Sequence, residues 1–236
     1  MRKILSSAIM MLAVASSASV EAAAANSWNL SSDMIIATMS TNPCSPTNLL
    51  PSSFGIGCVW TAMYDAVGTS HNSLNYLMMP NYFPTYPGPS NPGPSNPFAV
   101  WTNPSQYALL VGVATQTYNA SNGTSNFTHI QGIPTLHPDT TLSSIIRWKS
   151  PINGNINIMG RIADVDSACG NGINWFVDKG NSTLMSGTLA NGNNGATILQ
   201  QNIPVSIGTY LYFIVSPKNN DNLCDTTYLD IIITNP

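Results

Sequence analysis

From residue 142 to residue 234, apolar side chains recur at every second position in short runs, and each run stops at Gly, Asn or Pro. The first run, 142–149, ends before Pro151. Asn153-Gly154 then makes a turn, and Ile156, Ile158, Gly160 and Ile162 alternate with Asn155, Asn157, Met159 and Arg161. Ile173, Trp175 and Val177 alternate up to Lys179-Gly180. Residues 183–189 close on Asn191-Gly192-Asn193-Asn194-Gly195, and runs at 196–203, 210–215 and 228–234 follow, the last after an Asp/Asn-rich loop at 219–225. A period of two sends successive side chains to opposite faces of an extended chain. Many short strands with turn residues between them make a sandwich or a barrel of antiparallel sheets, an all-β fold.

The first half is less regular. It is rich in Pro, Asn and Tyr from about 26 to 135, and strands are expected at 34–39, 60–64 and 107–114. No run of helix-period apolar residues stands out beyond a modest one at 60–67. Residues 87–97 read PGPSNPGPSNP, a tandem copy of PGPSN. Proline fixes φ and lacks a donor, so this stretch is excluded from a central strand and is expected as an exposed polyproline-like loop.

The N-terminus carries Arg2 and Lys3, an apolar run from Ile4 to Val14, and the small residues Ala22 to Ala25. That order is the one a secretory signal peptide shows. The run falls short of the roughly 20 residues that a membrane span needs. Residues 1–25 are therefore expected to be removed, leaving 26–236 as one domain with an irregular first half (26–135) and a regular second half (136–236), secreted to the cell exterior (through the periplasm in a Gram-negative host) and without a span of its own. The full chain has seven basic and ten acidic residues. Losing Arg2, Lys3 and Glu21 leaves five and nine, a net charge of −4, and every remaining acid is Asp. So few cations give nothing with which to grip nucleic-acid phosphates or an anionic bilayer.

Four cysteines, Cys44, Cys58, Cys169 and Cys224, remain after cleavage. An even count in an exported chain points to disulfides, and three pairings are possible. Cys44–Cys58 and Cys169–Cys224 are favoured because each pair lies in its own half. Zinc is disfavoured: no C-x₂-C spacing occurs, and His71, His129 and His137 are scattered.

Leu136-His137-Pro138-Asp139, then Arg147-Trp148 followed by Pro151, then Asp225-Thr226-Thr227 ahead of the alternating Leu229, Ile231 and Ile233, form a cadence of strand and turn motifs. This cadence resembles a family of bacterial exported jelly-roll domains that are themselves similar to carbohydrate-binding modules. The match runs over 136–236 and departs at Asp139, where the family has Gly, and in the cysteines. It implies a jelly-roll sandwich in which the first half supplies outer strands.

No motif for catalysis is present: there is no G-x-S-x-G, and with no Glu after cleavage a glycosidase would need an Asp pair. His137 is expected to bond nearby backbone beside Pro138. If Cys169 pairs with Cys224, Asp164, Asp166, Asp221 and Asp225 gather at one end of the sandwich, and hard oxygens on loops suit Ca²⁺. The competing expectation is that they cap turns. Tyr82, Phe83, Tyr86 and Trp101 flank the Pro-rich loop and are expected to offer ring faces to a ligand. Trp148 and Trp175 are expected in the core. The function expected is non-catalytic binding of a glycan or another extracellular surface. A structural or adhesive protein without a sugar site, and a small hydrolase with an Asp/His site, are the alternatives.

Overall fold

The computed structural model describes residues 27–38, 59–66, 71–86, 96–103, 106–121 and 126–236. The elements in chain order are β1 (Ser27–Asn29), α1 (Leu30–Thr38), β2 (Trp60–Asp65), β3 (Tyr76–Met78), β4 (Asn81–Phe83), β5 (Phe98–Asn103), β6 (Gln106–Ala114), β7 (Tyr118–Ser121), β8 (Asn126–His129), β9 (Pro134–His137), β10 (Ser144–Lys149), β11 (Gly154–Asp164), β12 (Ile173–Lys179), β13 (Ser182–Leu189), β14 (Ala196–Val205), β15 (Tyr210–Pro217) and β16 (Thr227–Thr234).

The larger sheet runs β14-β11-β16-β9-β6-β5-β4, with β1 also paired to β16, and the smaller runs β13-β12-β15-β10-β2-β3. All named strands pair antiparallel. Within this, β9 to β16 hold the orders β9-β16-β11-β14 and β10-β15-β12-β13. The chain changes sheet at every connection among these eight strands except the β12–β13 hairpin. That wrapping of a long antiparallel ribbon into two four-stranded sheets is the jelly roll. The protein is an all-β antiparallel sandwich of this type. The first half extends both sheets past the roll, through β6, β5 and β4 on one and β2 and β3 on the other.

The inner faces bury one large cluster that contains Trp28, Trp60, Trp101, Trp148 and Trp175, all five tryptophans of the chain. Each inward side chain is the alternate residue of its strand: Ala99 and Trp101 on β5, Leu109 and Val111 on β6, Leu136 on β9, and Ile156, Ile158 and Ile162 on β11. The expected strands of the second half appear where the alternation placed them.

Residues 34–39 were expected as a strand, but the described part of that stretch lies in α1. Leu30, Met34 and Ala37 are buried, a spacing of four and three that turns one helical stripe inward. Asn29 caps the helix by accepting the Ser32 N–H at 2.9 Å. Asp33, in the first turn, accepts the Trp60 indole N–H at 2.8 Å. The segment 60–67, read as a modest helical exception or a strand, contains β2.

Cys169 and Cys224 are bonded, with Cα atoms 5.4 Å apart. Cys44, Cys58, the signal segment 1–25 and most of the PGPSN repeat (87–95) lie outside the described residues. A bridge between Tyr86 and Asn96 joins the two ends of the repeat segment.

Candidate functional site: an aromatic cavity on the larger sheet

Between β6 and β9 the chain leaves the larger sheet as a two-stranded ribbon, β7 paired with β8. Tyr118 and Ala120 alternate on one arm, and Phe127 and His129 on the other. Tyr118 stands opposite His129, and Ala120 opposite Phe127. The ribbon lies over the outer face of the sheet. Tyr228 of β16 ties it down: its hydroxyl accepts the Ile130 N–H at 3.0 Å and donates to the Thr128 carbonyl. Gln131 N–H also donates to Thr117 Oγ1 at 3.0 Å.

Between ribbon and sheet lies a cavity of about 240 Å³. Its walls are Phe98 of β5, Ala108 and Leu110 of β6, Tyr118, Phe127 and His129 of the ribbon, and Tyr86 and Asn96 of the bridge. Thr135 and His137 of β9, with Asp166, Cys224 and Thr226 at the disulfide-tied loops, complete them. Phe98 lies over Gly112, where a Cβ would stand 2.5 Å from its ring. The missing side chain at 112 therefore lets Phe98 lie close against the sheet.

His129 is 6% exposed and is packed among rings. Its centroid lies 4.6 Å from Phe98, 4.9 Å from Phe127 and 5.0 Å from Tyr118, the last stacked. Burial lowers its pKa to about 4, so the imidazole is neutral at neutral pH. Its Nδ1 has no hydrogen-bond partner. An unsatisfied polar atom in such a place is a feature that a ligand can repair. His137 is bonded otherwise: its Nδ1–H donates to the Pro138 carbonyl at 2.7 Å. Burial lowers its pKa, while the Pro138 and Ala108 carbonyls and the Asp166 and Asp139 carboxylates pull it up.

Behind this end of the cavity two buried carboxylates face the same difficulty. Asp164 ends β11 in register with Thr227, and Val165 N–H donates to the Thr226 carbonyl at 2.9 Å, which places Asp225 alongside. Asp225 is 0% exposed, and neither of its oxygens has a partner. Burial raises its pKa to about 8, helped by the charges of Asp164 and Asp221. Asp164 Oδ1 accepts the Asp166 N–H at 3.3 Å, but Oδ2 is unpartnered, and burial raises its pKa to about 7. The other two aspartates of the expected calcium set are spent on turns. Asp166 Oδ1 accepts the Ala168 N–H at 3.4 Å, and Asp221 Oδ1 the Leu223 N–H at 3.1 Å. Among the described residues no three carboxylate, imidazole or thiolate groups are gathered for a metal.

The aromatics singled out in the sequence do not form one platform. Trp101 is 0% exposed inside the core, and Tyr82 packs on it at 4.7 Å. Both take the inward positions of paired strands β4 and β5, where Trp101 is fully buried and Tyr82 partly so. Phe83 takes the opposite face of β4 and is 36% exposed. Tyr86 lines the cavity. The alternation in YNAS and NFTH was the signal for the ribbon, but four residues on each arm are too few to stand out among the Asn-rich segments around them.

Aspartate and histidine also meet on the smaller sheet. His71 Nδ1 and Asp178 Oδ2 are 3.0 Å apart, within hydrogen-bond distance. His71 rests on Phe176 at 3.8 Å, and Ser73 N–H donates to Asn181 Oδ1 at 2.9 Å. These contacts hold 71–76 across the sheet's outer face.

The strand order defines the class, a jelly-roll β-sandwich, and it carries an open cavity on its outer face. No protein-family model matches the sequence, and no curated protein is detectably similar to it. Solved structures similar to half of the chain include carbohydrate-binding modules. One is a family 51 module from Clostridium perfringens in complex with methyl-galactose, with 13% identity over 50% of this chain and 79% of that one and a TM-score of 0.35. Another is a family 36 module in complex with calcium and xylotriose, with 17% identity over 51% and 89% and a TM-score of 0.30. A third is the K3 adhesin domain of Lys-gingipain from Porphyromonas gingivalis, with 12% identity over 51% and 91% and a TM-score of 0.33. At these identities the likeness is one of fold alone, and the architecture rests on the strand order itself.

Proposed function

We propose that this chain is a secreted, non-catalytic binding protein that takes a sugar into the cavity beneath the β7–β8 ribbon. The observation that carries the reading is the pairing of aromatic walls with an unpartnered imidazole nitrogen. Tyr118, Phe127 and Phe98 supply ring faces, and sugar rings have apolar faces that stack on them. His129 Nδ1 lacks a partner, and Asp166, Asn96 and Thr135 bring further polar atoms to the walls. Apolar walls with a few convergent polar groups are what small-ligand sites share. Against catalysis, Asp166 is the one carboxylate among the described lining residues, and a glycosidase of the common kind needs two. The charged leader-like N-terminus and the Cys169–Cys224 bond support an address in an oxidising compartment.

Calcium belongs to the same reading. Asp164 and Asp225 fit it in part: three of their four oxygens are buried without partners, and hard oxygen is what Ca²⁺ prefers. Backbone carbonyls and water would complete the shell, since Asp166 and Asp221 already serve turns.

Calorimetric titration with a panel of monosaccharides and oligosaccharides tests the sugar site. Tyr118→Ala is expected to weaken binding by about fivefold, since losing one stacked ring costs on the order of 1 kcal/mol. Phe83→Ala should leave it unchanged. A panel without a binder, or binding indifferent to Tyr118→Ala, would overturn the proposal.

A further inference from the structure

A second opening lies beside the cavity on the same outer face of the larger sheet. This groove of about 380 Å³ includes Arg161, Asn194, Tyr228 and Asp230 in its walls. Two neighbouring strands put successive same-face residues into both openings. Thr135 and Thr226 line the cavity, while Ile133 and Tyr228 line the groove. Each pair is two residues apart at an end of β9 or β16, and these strands are adjacent in the sheet. Two residues along a strand amount to roughly 7 Å, so the openings are immediate neighbours. Tyr228 stands at the boundary, its ring 6.4 Å from that of His129.

The chemistry of the groove differs from that of the cavity. Arg161 donates to the Asn194 carbonyl and, among the described residues, has no carboxylate within ion-pair distance. Asp230 Oδ1 accepts from Ser31 Oγ at 2.8 Å. A guanidinium donor beside a carboxylate acceptor suits a group that both gives and receives hydrogen bonds, as a sugar hydroxyl does. A lone anion would meet Asp230, and a lone cation would meet Arg161.

We propose that cavity and groove are consecutive subsites for one ligand, a chain of linked sugars whose first ring stacks in the cavity and whose next ring is held by Arg161, Tyr228 and Asp230. This rests on the cavity being a sugar site. A second subsite makes the next contact intramolecular, so affinity should climb with chain length.

Calorimetry with matched pairs reads this: xylose against xylotriose, galactose against β-1,4-galactotriose, and glucose against β-1,3-linked glucotriose. For the pair that binds, the trisaccharide is expected to bind at least ~10-fold tighter than its monosaccharide. Arg161→Ala and Asp230→Asn, each checked for an unchanged circular dichroism spectrum, should bring that ratio close to one. Equal affinities for the two lengths in the wild type overturn the second subsite and leave the cavity standing. So does a ratio that survives in both variants. If no pair binds, the cavity reading fails first and takes this one with it.

Discussion

His129 shows how one residue can be both buried and unfinished. Three rings surround it and none can bond its Nδ1, and leaving a buried polar atom unpaired costs roughly 1–3 kcal/mol. Gly112 shapes the same place by what it lacks. A side chain there would collide with the Phe98 ring and with the Ala99 carbonyl, 2.8 Å from the added Cβ. Gly112→Val is expected to destabilise the protein by about 1–3 kcal/mol, in the range of an overpacked site, and to weaken the proposed sugar binding with it. Thermal unfolding and calorimetry check both, and an unchanged midpoint would show that Phe98 does not need the space. At this scale the sequence was only partly readable. Trp148 and Trp175 announced themselves as core by alternation. Trp101 did not, because the Pro-rich segment ahead of it hid the short strand on which it sits.

The elements that make the site are a ribbon and two tied loops. The ribbon contributes little to the main core and is held by Tyr228 and by its own packing on Phe98, so its opening should be the easiest local motion near the cavity. The disulfide joins the loop after β11 to the loop before β16 across a separation of 55 residues. In the chain-entropy model a closure of this length stabilises by about 4 kcal/mol. The double variant Cys169→Ser, Cys224→Ser should therefore melt roughly 10 °C lower and weaken the proposed sugar binding, since Asp166 and Thr226 lose their shared anchor. A midpoint within a degree or two of wild type would refute that role. The strands of the second half were legible because turn residues bracket each alternating run. Helix α1 was not. Its β-branched and methionine residues read as strand, while the decisive cues, Asn29 as a cap and the 30/34/37 stripe, are spread over one short helix.

Across the whole molecule, buried acids and histidines set opposing pH dependences. Asp164 and Asp225 have folded pKa values of about 7 and about 8, above the ordinary 3.8. The folded state thus keeps protons that the unfolded chain gives up, and stability falls as pH rises toward 8. His129, lowered from 6.5 to about 4, acts the other way: its contribution is present above 6.5 and is lost as pH falls toward 4. Between pH 6.5 and 8 the aspartates act without that opposition. In a chelator-containing buffer the melting temperature should fall across that window by at least ~2 °C, because each pKa unit corresponds to about 1.4 kcal/mol. Millimolar Ca²⁺ should restore it at pH 8. A flat profile with no response to calcium would remove the metal from the account.

Strand β16 holds a central place in the larger sheet, between β11 and β9, and it also takes β1 onto its flank. It follows both of those neighbours in chain order. Until β16 has been made, two finished strand edges wait with a gap between them. A chain delivered head first is thus kept open here by its own topology, and this sheet can close only when β16 arrives.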